Sequence, residues 1–546
     1  MALTSRVLVG ALALIAVVPA SSAAVPDSAR TLAYINRTWS TLTRSVTGCA
    51  SYRSPYYHGK WVLYLPHDLP MPPAVRALRT RCDVSVLRLP VRITKLGSFQ
   101  PTLLKYPGLL YLPHPYIVPG GMFNQMFGWD SYFIELGLIG DHHAVLARDI
   151  VENFLFEVRH YGAVLNANAT FSLTRSQPPF LGEMVRDLLA DRAAFASRSA
   201  ATAWLRRAYP LVVKDYSSWE RPKQRAGDTG LSRYFDYGGP EPAEELGSAK
   251  YYRDVIRFLI AHPGENRGYL VRAPQHPSTA EVARLARVSC NVRASRICAR
   301  AWYGGYRLTG KYYRGDRAMR ESGFDTTFRF GAFSGSATDY ASVGLNSLLY
   351  RYALDLSAFA RRLGNPAAAR HWAAAAAARK RAINKYLWNS RLGLYTDYDF
   401  VTRKRSYYMF ITTFYPLWAG AASKAQACAV RDNLPLFERM GGLQTSDFAS
   451  GAQWDAPFGW APTNWLAVRG LEAYGYGAAA RRIARKFIAT VNRVFAQDGT
   501  IREKYNMDTG NADVKITYGY KQDMIGFGWT NGVYVRMWRL LRGRPR

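Results

Sequence analysis

Five stretches scattered along the 546-residue chain set a carboxylate or a guanidinium among aromatic residues, glycine and proline. They are PGGMFNQMFGWDSY at 119–132, FSLTRSQPPF at 171–180, RESGFDTTFRFG at 320–331, QWDAPFGWAPTNW at 453–465 and REKYNMDTG at 502–510. Proline and glycine interrupt both regular periods, so such stretches read as shaped loops. The fourth is the densest, with three tryptophans and Asp455 in thirteen residues. Flat apolar rings can cover a pyranose face while a carboxylate grips its hydroxyls, and loops on rigid scaffolds often carry such groups. A single loop of this kind could equally be a surface segment pinned into the core by its rings. Five along one chain fit loops at one end of a scaffold, converging on one sugar pocket.

The scaffold that must hold these loops reads as helical. Leu345, Leu348, Leu349, Tyr352, Leu356 and Phe359 fall on one helical face, and Gly364 ends that helix. Asn365 and Pro366 then supply an N-cap and a first-turn proline for the alanine-rich stretch RHWAAAAAARKRAINKYLW. A third helical stretch, WLAVRGLEAYGYGAAARRIARKFIATVNRVF, follows the tryptophan-rich loop directly. Long helices repeated without alternating strands predict an all-α toroid. The part up to Pro113 is mixed and is expected to wrap it with a few short strands.

Composition bounds the partners. The chain is 49% hydrophobic and 14% aromatic, which is globular rather than disordered. Residues 1–24 have the form of a secretory signal: Arg6, an apolar run over 7–18, and small residues at 20–24. The run is too short for a membrane span, so a periplasmic or secreted protein without membrane insertion is expected. The formal charge is +33, from 72 basic against 39 acidic residues. The basic residues are scattered, with no lysine-rich tail, so nucleic acid is not the expected partner. Export permits disulfides. Of the five cysteines, Cys49–Cys82 and Cys290–Cys298 are candidate bridges with Cys428 left over, although connectivity does not follow from sequence. No spacing resembles a zinc site, and neither metal nor cofactor is expected. A monomer acting on a small disaccharide is.

The five stretches resemble, in order, glycoside hydrolase family 37, the trehalases. That family's first signature runs PGG-R-F-x-E-x-Y-x-WD-x-Y and its second QWD-x-P-x-GWAP-x-Q; residues 119–132 and 453–464 are similar to them. RSQPP at 175–179, ESGFD at 321–325, EKY at 503–505 and GFGWTNGV at 526–533 also match family stretches. The resemblance implies an (α/α)6 barrel over 114–546, with 25–113 as an N-terminal extension. It implies inverting hydrolysis of an α-glucosidic bond, with α,α-trehalose the leading substrate. In inverting chemistry one carboxylic acid protonates the leaving oxygen and a second carboxylate, about 6.5–9.5 Å away, activates water. The family's acid falls on Asp325 and its base on Glu503. Phe324, Phe328 and Phe330 are expected to desolvate Asp325 and keep it protonated. Sugar contacts carry over to Phe123, Trp129, Asp130, Asn166, Arg175, Gln177, Arg272, Trp454 and Asp455.

The match departs from the family where substrate is gripped. The arginine of PGGR is Met122, the following glutamate is Gln125, and the last glutamine of the second signature is Asn464. The family's RPES has no clean counterpart, and VRAPQHPS around Arg272 lies where it should fall. The glycine-rich GGGGEY lid is replaced by KITYGYKQDMI, which brings Tyr518 and Tyr520. Losing an arginine and a glutamate removes charge-assisted hydrogen bonds of about 1.5–3 kcal/mol each. Two alternatives to trehalose hydrolysis therefore stand, another α-glucoside or a catalytically impaired sugar-binding relative. Intact Asp325 and Glu503 favour an enzyme.

Overall fold

A computed structural model describes residues 28–53, 61–243, 248–519 and 523–543. The expected signal segment at 1–24 and Tyr520 lie outside them. The N-terminal part begins with α1 (Ala29–Leu42), followed by α2 (Pro73–Arg81). Strand Val62–Leu65 is the centre of a three-stranded parallel sheet, flanked by Ser85–Arg88 and Leu109–Leu110. Cys49 and Cys82 are disulfide-bonded and tie the end of α2 back to this part.

The helical body then opens with α3 (Gly128–Gly140), α4 (Ala144–His160), α5 (Leu181–Ala190) and α6 (Arg198–Ser218). Next comes a segment with its own small apolar core. It holds α7 (Ala249–Ala261), α8 (Thr279–Val288), α9 (Arg296–Arg300) and the Cys290–Cys298 disulfide. α10 (Gly310–Glu321) leads out of it. The rest is α11 (Val343–Arg362), α12 (Pro366–Ala382), α13 (Tyr415–Ala419), α14 (Lys424–Asp432), α15 (Ala461–Ala473), α16 (Gly477–Asp498) and α17 (Gly528–Leu541).

The chain is mostly helical, and its helices take two roles. α3, α5, α11, α13, α15 and α17 pack on one another in succession, and α17 packs back on α3. Every residue of α3 except Ile139 is buried, as expected of a helix surrounded on all sides. α4, α6, α12 and α16 are amphipathic and lie against these buried helices, and α1 packs on α17. The α3–α17 contact is close because both helices carry glycine there. A Cβ on Gly137 would lie 2.5 Å from the Gly532 Cα, and one on Gly532 would lie 2.0 Å from the Phe133 carbonyl oxygen.

Local expectations hold in α11 and α12. All six predicted apolar positions of α11 are buried, and the Asn365 side chain accepts from the Ala368 N–H at the start of α12. Two expectations need correction. The third helical stretch is two helices, broken at Tyr474–Tyr476 where Gly475 takes a φ of +85°. The chain is also not purely helical outside its N-terminal part. Phe458–Trp460 pairs antiparallel with Lys504–Asn506, and Tyr340–Ala341, Tyr398–Asp399 and Lys404–Arg405 form a three-stranded sheet. Buried connections between helices must satisfy their backbone donors and acceptors, and short ladders do so.

Candidate active site

The five singled-out stretches are not all loops. Gly128 begins α3, so Trp129 and Asp130 stand in its first helical turn. The Gln177 side-chain carbonyl accepts from the Trp129 N–H at 2.9 Å, joining the 171–180 stretch to this turn. Residues 453–457 form turns, 458–460 a strand, and Ala461 already starts α15 with Pro462 in its first turn.

Glu503 is placed by that strand pairing, which sets Trp460 opposite Lys504. Its N–H donates to the Met524 carbonyl at 2.9 Å, and the Trp529 indole N–H donates to the Glu503 carbonyl at 3.1 Å. The fully buried Lys504 ammonium donates to Glu503 Oε2 at 2.6 Å and lies 5.0 Å from the centre of the Trp460 ring. Such an ammonium holds the glutamate in one orientation.

Asp325 follows α10, whose last residue, Glu321, is itself a clamp. Glu321 accepts from the Ser176 N–H at 3.1 Å and the Phe235 N–H at 2.6 Å, and burial pushes its carboxyl up to about 7. Beyond Glu321 the loop is pinned at several points. The Gln453 amide donates to the Asp325 carbonyl, and the Trp454 N–H donates to the Thr326 carbonyl at 3.0 Å. Asp455 accepts from the Thr327 hydroxyl (2.6 Å), the Phe328 N–H (2.9 Å) and the Ser450 hydroxyl (2.5 Å). Arg329 makes a buried two-pronged ion pair with Asp397, at 2.5 and 2.7 Å. The Asp325 carboxylate has the Arg320 guanidinium 3.9 Å away. The three phenylalanines expected to desolvate it pack on other rings: Phe324 on Trp129, Phe410 and Trp454, Phe328 on Phe333 and Tyr518, and Phe330 on Tyr340.

Asp130, Asp325 and Glu503 meet on one cavity of about 290 Å³. Its walls include four indoles, Trp129, Trp454, Trp460 and Trp529, and the rings of Phe123, Phe127, Phe171 and Phe527. Trp454 stacks on Trp460 with ring centres 3.7 Å apart, and Trp129 lies 5.7 Å from both Trp454 and Trp529. Burial, with the nearby charges of Glu503 and Asp325, holds the Asp130 carboxyl well above the usual carboxylate range. Asp130 thus stands beside two further carboxyls in that lining. The volume is at the low end of the roughly 300–1,000 Å³ common for small-molecule sites. A larger cavity of about 840 Å³ lies at Arg186, Arg351, Arg469 and Arg536, but it has no aromatic wall, and Arg186, Arg351 and Arg469 are engaged with Glu183 and Glu472.

Of the sequence-derived contacts, Phe123, Trp129, Asp130, Gln177 and Trp454 line the cavity with Asp325 and Glu503. Four others are placed away from its lining. Asp455 is fully buried under the 325–330 loop. Asn166 is buried, its amide within 3.4 Å of the Ser176 carbonyl. Arg175 is buried behind Phe171, 3.6 Å from Asp236. Burial pushes Asp236 up, but the Arg317 and Arg175 guanidiniums outweigh it and hold the carboxyl below its ordinary value. Arg272 is exposed on the Leu270–Arg272 strand, over the ring of Tyr306. Met122 and Gln125 do line the cavity, so those two departures fall where substrate would lie. Asn464 is a buried brace on the backbone of Leu443, and Tyr518 braces Thr326 through its carbonyl. Trp460 and Trp529 were not assigned from sequence, although both lie in stretches that carry the family resemblance.

Paired carboxyls on an indole-walled cavity in a mostly helical body define a glycoside hydrolase. The family model described as Trehalase matches residues 83–246 and 308–542, and the chain belongs to the trehalase family. It is 32% identical over 508 residues to the cytosolic neutral trehalase of Kluyveromyces lactis, covering 87% of this chain and 61% of that one. It is 31% identical over 523 residues to the cytosolic neutral trehalase of Saccharomyces cerevisiae, covering 87% and 65%. The chain thus spans less than two thirds of the length of these curated relatives. A solved structure of a neutral trehalase from Saccharomyces cerevisiae is similar with a TM-score of 0.75 at 30% identity, covering 94% of each chain. A GH63 mannosylglycerate hydrolase from Thermus thermophilus, solved with glucose, shares the fold at a TM-score of 0.50 and 20% identity, over 77% of this chain and 95% of that one.

Proposed function

We propose that this trehalase-family glycosidase hydrolyses α,α-trehalose to two glucose molecules with inversion at the anomeric carbon. Asp325 donates a proton to the bridging oxygen. Glu503 takes a proton from the attacking water on the opposite face of the ring. Asp130 and the indoles hold the glucose whose bond is cut. The convergence of Asp130, Asp325 and Glu503 on one indole-walled cavity carries this proposal. The Lys504 ammonium on Glu503 fixes the position of the group that must meet the water. Proton NMR before mutarotation tests it: inversion releases β-glucose and α-glucose in equal amounts, because the leaving sugar keeps its α configuration, and α-glucose alone would mean retention.

A second reading, another α-glucoside, is favoured by one observation. The charged residues lining the cavity among those described are all acidic, and Met122 stands where the family resemblance calls for an arginine. An assay across a panel of α-linked glucosides separates the two. If no glucoside is cut yet calorimetry detects sugar binding, the impaired binding relative is the right description.

The scaffold we propose is an (α/α)6 barrel, the six mutually packed helices inside and their amphipathic partners outside, with α1 from the N-terminal extension among the latter. The return of α17 onto α3 supports it. The protein is further proposed to be exported and monomeric. The leader-like residues 1–24 and the two disulfides support export. Among the described residues no helix is long and apolar enough to cross a membrane. Mass spectrometry of the protein recovered from cells, with its mature N-terminus near residue 25, tests export; light scattering tests the monomer.

A further inference from the structure

The trehalase match skips residues 247–307, and that segment holds a cavity of its own, about 690 Å³ in volume. All of its lining residues fall between Arg253 and Arg307. Four guanidiniums line it, from Arg253, Arg293, Arg300 and Arg307, together with His276, and no carboxylate does. Residues 247–307 carry eleven lysines and arginines against three acidic residues. Two of those acids are engaged with other cations: Asp254 with Lys250 and Arg257, Glu281 with Arg284. Among the described residues none of the four cavity arginines makes an ion pair, and three of them donate to neutral oxygens. Arg253 reaches the Arg300 carbonyl, Arg293 the Thr279 hydroxyl, and Arg307 the carbonyls of Gln275, Cys298 and Ala299.

Arg307 is the least ordinary of the four. It is only 1% exposed, and its Nε has no hydrogen-bond partner. A buried cation without a counter-charge is unfavourable unless something supplies one. The Cys290–Cys298 disulfide and the carbonyls that Arg307 grips make this wall rigid. The cavity also takes in the start of the ten-residue helix α8, where the Ser278 hydroxyl caps the Glu281 N–H. The free N–H groups and positive end of such a helix favour an anion.

We propose that this cavity binds a phosphoryl-bearing anion. Planar guanidinium forks present paired N–H donors that match a tetrahedral oxyanion, and several forks with one helix N-terminus suit two negative charges better than one. The space exceeds a bare phosphate, so the ligand carries an organic part, against which Trp302, Val282 and Val292 form the apolar wall. The site lies outside the matched family regions and apart from the catalytic cavity, so it adds to the hydrolase without replacing its chemistry.

The test is calorimetry on the full chain with inorganic phosphate, with glucose 6-phosphate, and with phosphatidylglycerol vesicles, against sodium chloride at equal ionic strength. Arg293 and Arg300 are exposed, so the Arg293→Gln/Arg300→Gln double variant should fold. It is expected to weaken binding by about tenfold or more while trehalose hydrolysis without probe stays unchanged. Binding of the soluble probes identifies a soluble ligand, and binding of vesicles alone identifies a lipid headgroup; either, if lost in the variant, bears the proposal out. No binding by any probe beyond the chloride control overturns it. Equal binding by the variant also overturns it, and would follow from glucose 6-phosphate seated in the catalytic cavity.

Discussion

Replacing Asp455 with alanine should damage the enzyme through the Asp325 loop rather than through sugar binding. Asp455 accepts three hydrogen bonds, two from Thr327 and Phe328 on that loop. Each bond to a charged acceptor contributes about 1.5–3 kcal/mol, and the orphaned Phe328 N–H alone costs about 1–3 kcal/mol. Against this, burial already pushes Asp455 up to about 6, so part of the bond energy offsets desolvation. A net loss of about 3–5 kcal/mol in unfolding free energy is expected. The loop is still held by Arg329 on Asp397 and by Gln453 on the Asp325 carbonyl, so it shifts rather than melts. A displacement of about 1 Å at the proton donor lowers kcat about 100-fold, with KM within about threefold because no sugar contact is lost. Urea unfolding and trehalose kinetics on the same preparation check both. Asp455→Asn, which keeps the shape and one acceptor, should fall between. Stability within about 0.5 kcal/mol of wild type together with a raised KM would refute the reasoning and return Asp455 to the sugar.

Asp325→Asn and Glu503→Gln should each lower kcat by about 10²–10⁴-fold with an unchanged circular dichroism spectrum; near-normal turnover by either removes it from the proposed pair. Met122→Arg adds a cation to an acidic cavity and should lower KM for trehalose about tenfold, equivalent to one charge-assisted hydrogen bond; an unchanged or higher KM would show that trehalose does not reach this wall. Thermal stability should fall as pH rises from about 4 to about 7. Asp215 and Asp455 are pushed up to about 6, and Glu321 and Asp523 to about 7, in each case chiefly by burial. The folded protein then binds more protons than the unfolded chain across that window, so stability is lost as pH climbs through the folded values. Asp236 and Glu438, held below their ordinary values, act the other way only under about pH 4. His160, lowered by burial, opposes the trend. Tm should therefore be higher at pH 5 than at pH 8, and the reverse order would contradict the burial assigned to these carboxyls.

What could be read directly from the chain was local or repeated. The apolar face of α11 and the Asn365–Pro366 start of α12 depend on neighbours in sequence, and both are found. The break at Gly475 depends on a backbone turn that helix-forming residues on either side conceal. Site residues divide along the same line. Trp129 and Asp130 lie next to each other and face one cavity, whereas Glu503 reaches it only because Lys504 pairs with Trp460 from a distant strand. Asp455 adjoins a cavity-lining tryptophan, yet it points under the neighbouring loop, and no spacing in QWDAPFGWAPTNW reveals that. Arg175 has the chemistry of a sugar contact, but its charge is balanced by Asp236, which no stretch singled out.

The glycine contact between α3 and α17 also sets an order of events. α3 is made well before α17; the Arg539 guanidinium grips the Gly140 carbonyl across 399 positions of chain. Until α17 leaves the ribosome, the slot beside Gly137 stays empty, Trp529 is missing from the cavity, and Glu503 lacks its indole donor. Contacts this distant form late and slowly. The nascent chain is therefore unarmed until α17 has been made. If residues 1–24 direct export as proposed, that delay keeps the polypeptide loose enough to be threaded outward before it locks. It also makes α17 a checkpoint: a chain without Gly528–Leu541 lacks Trp529 and its indole bond to the Glu503 carbonyl.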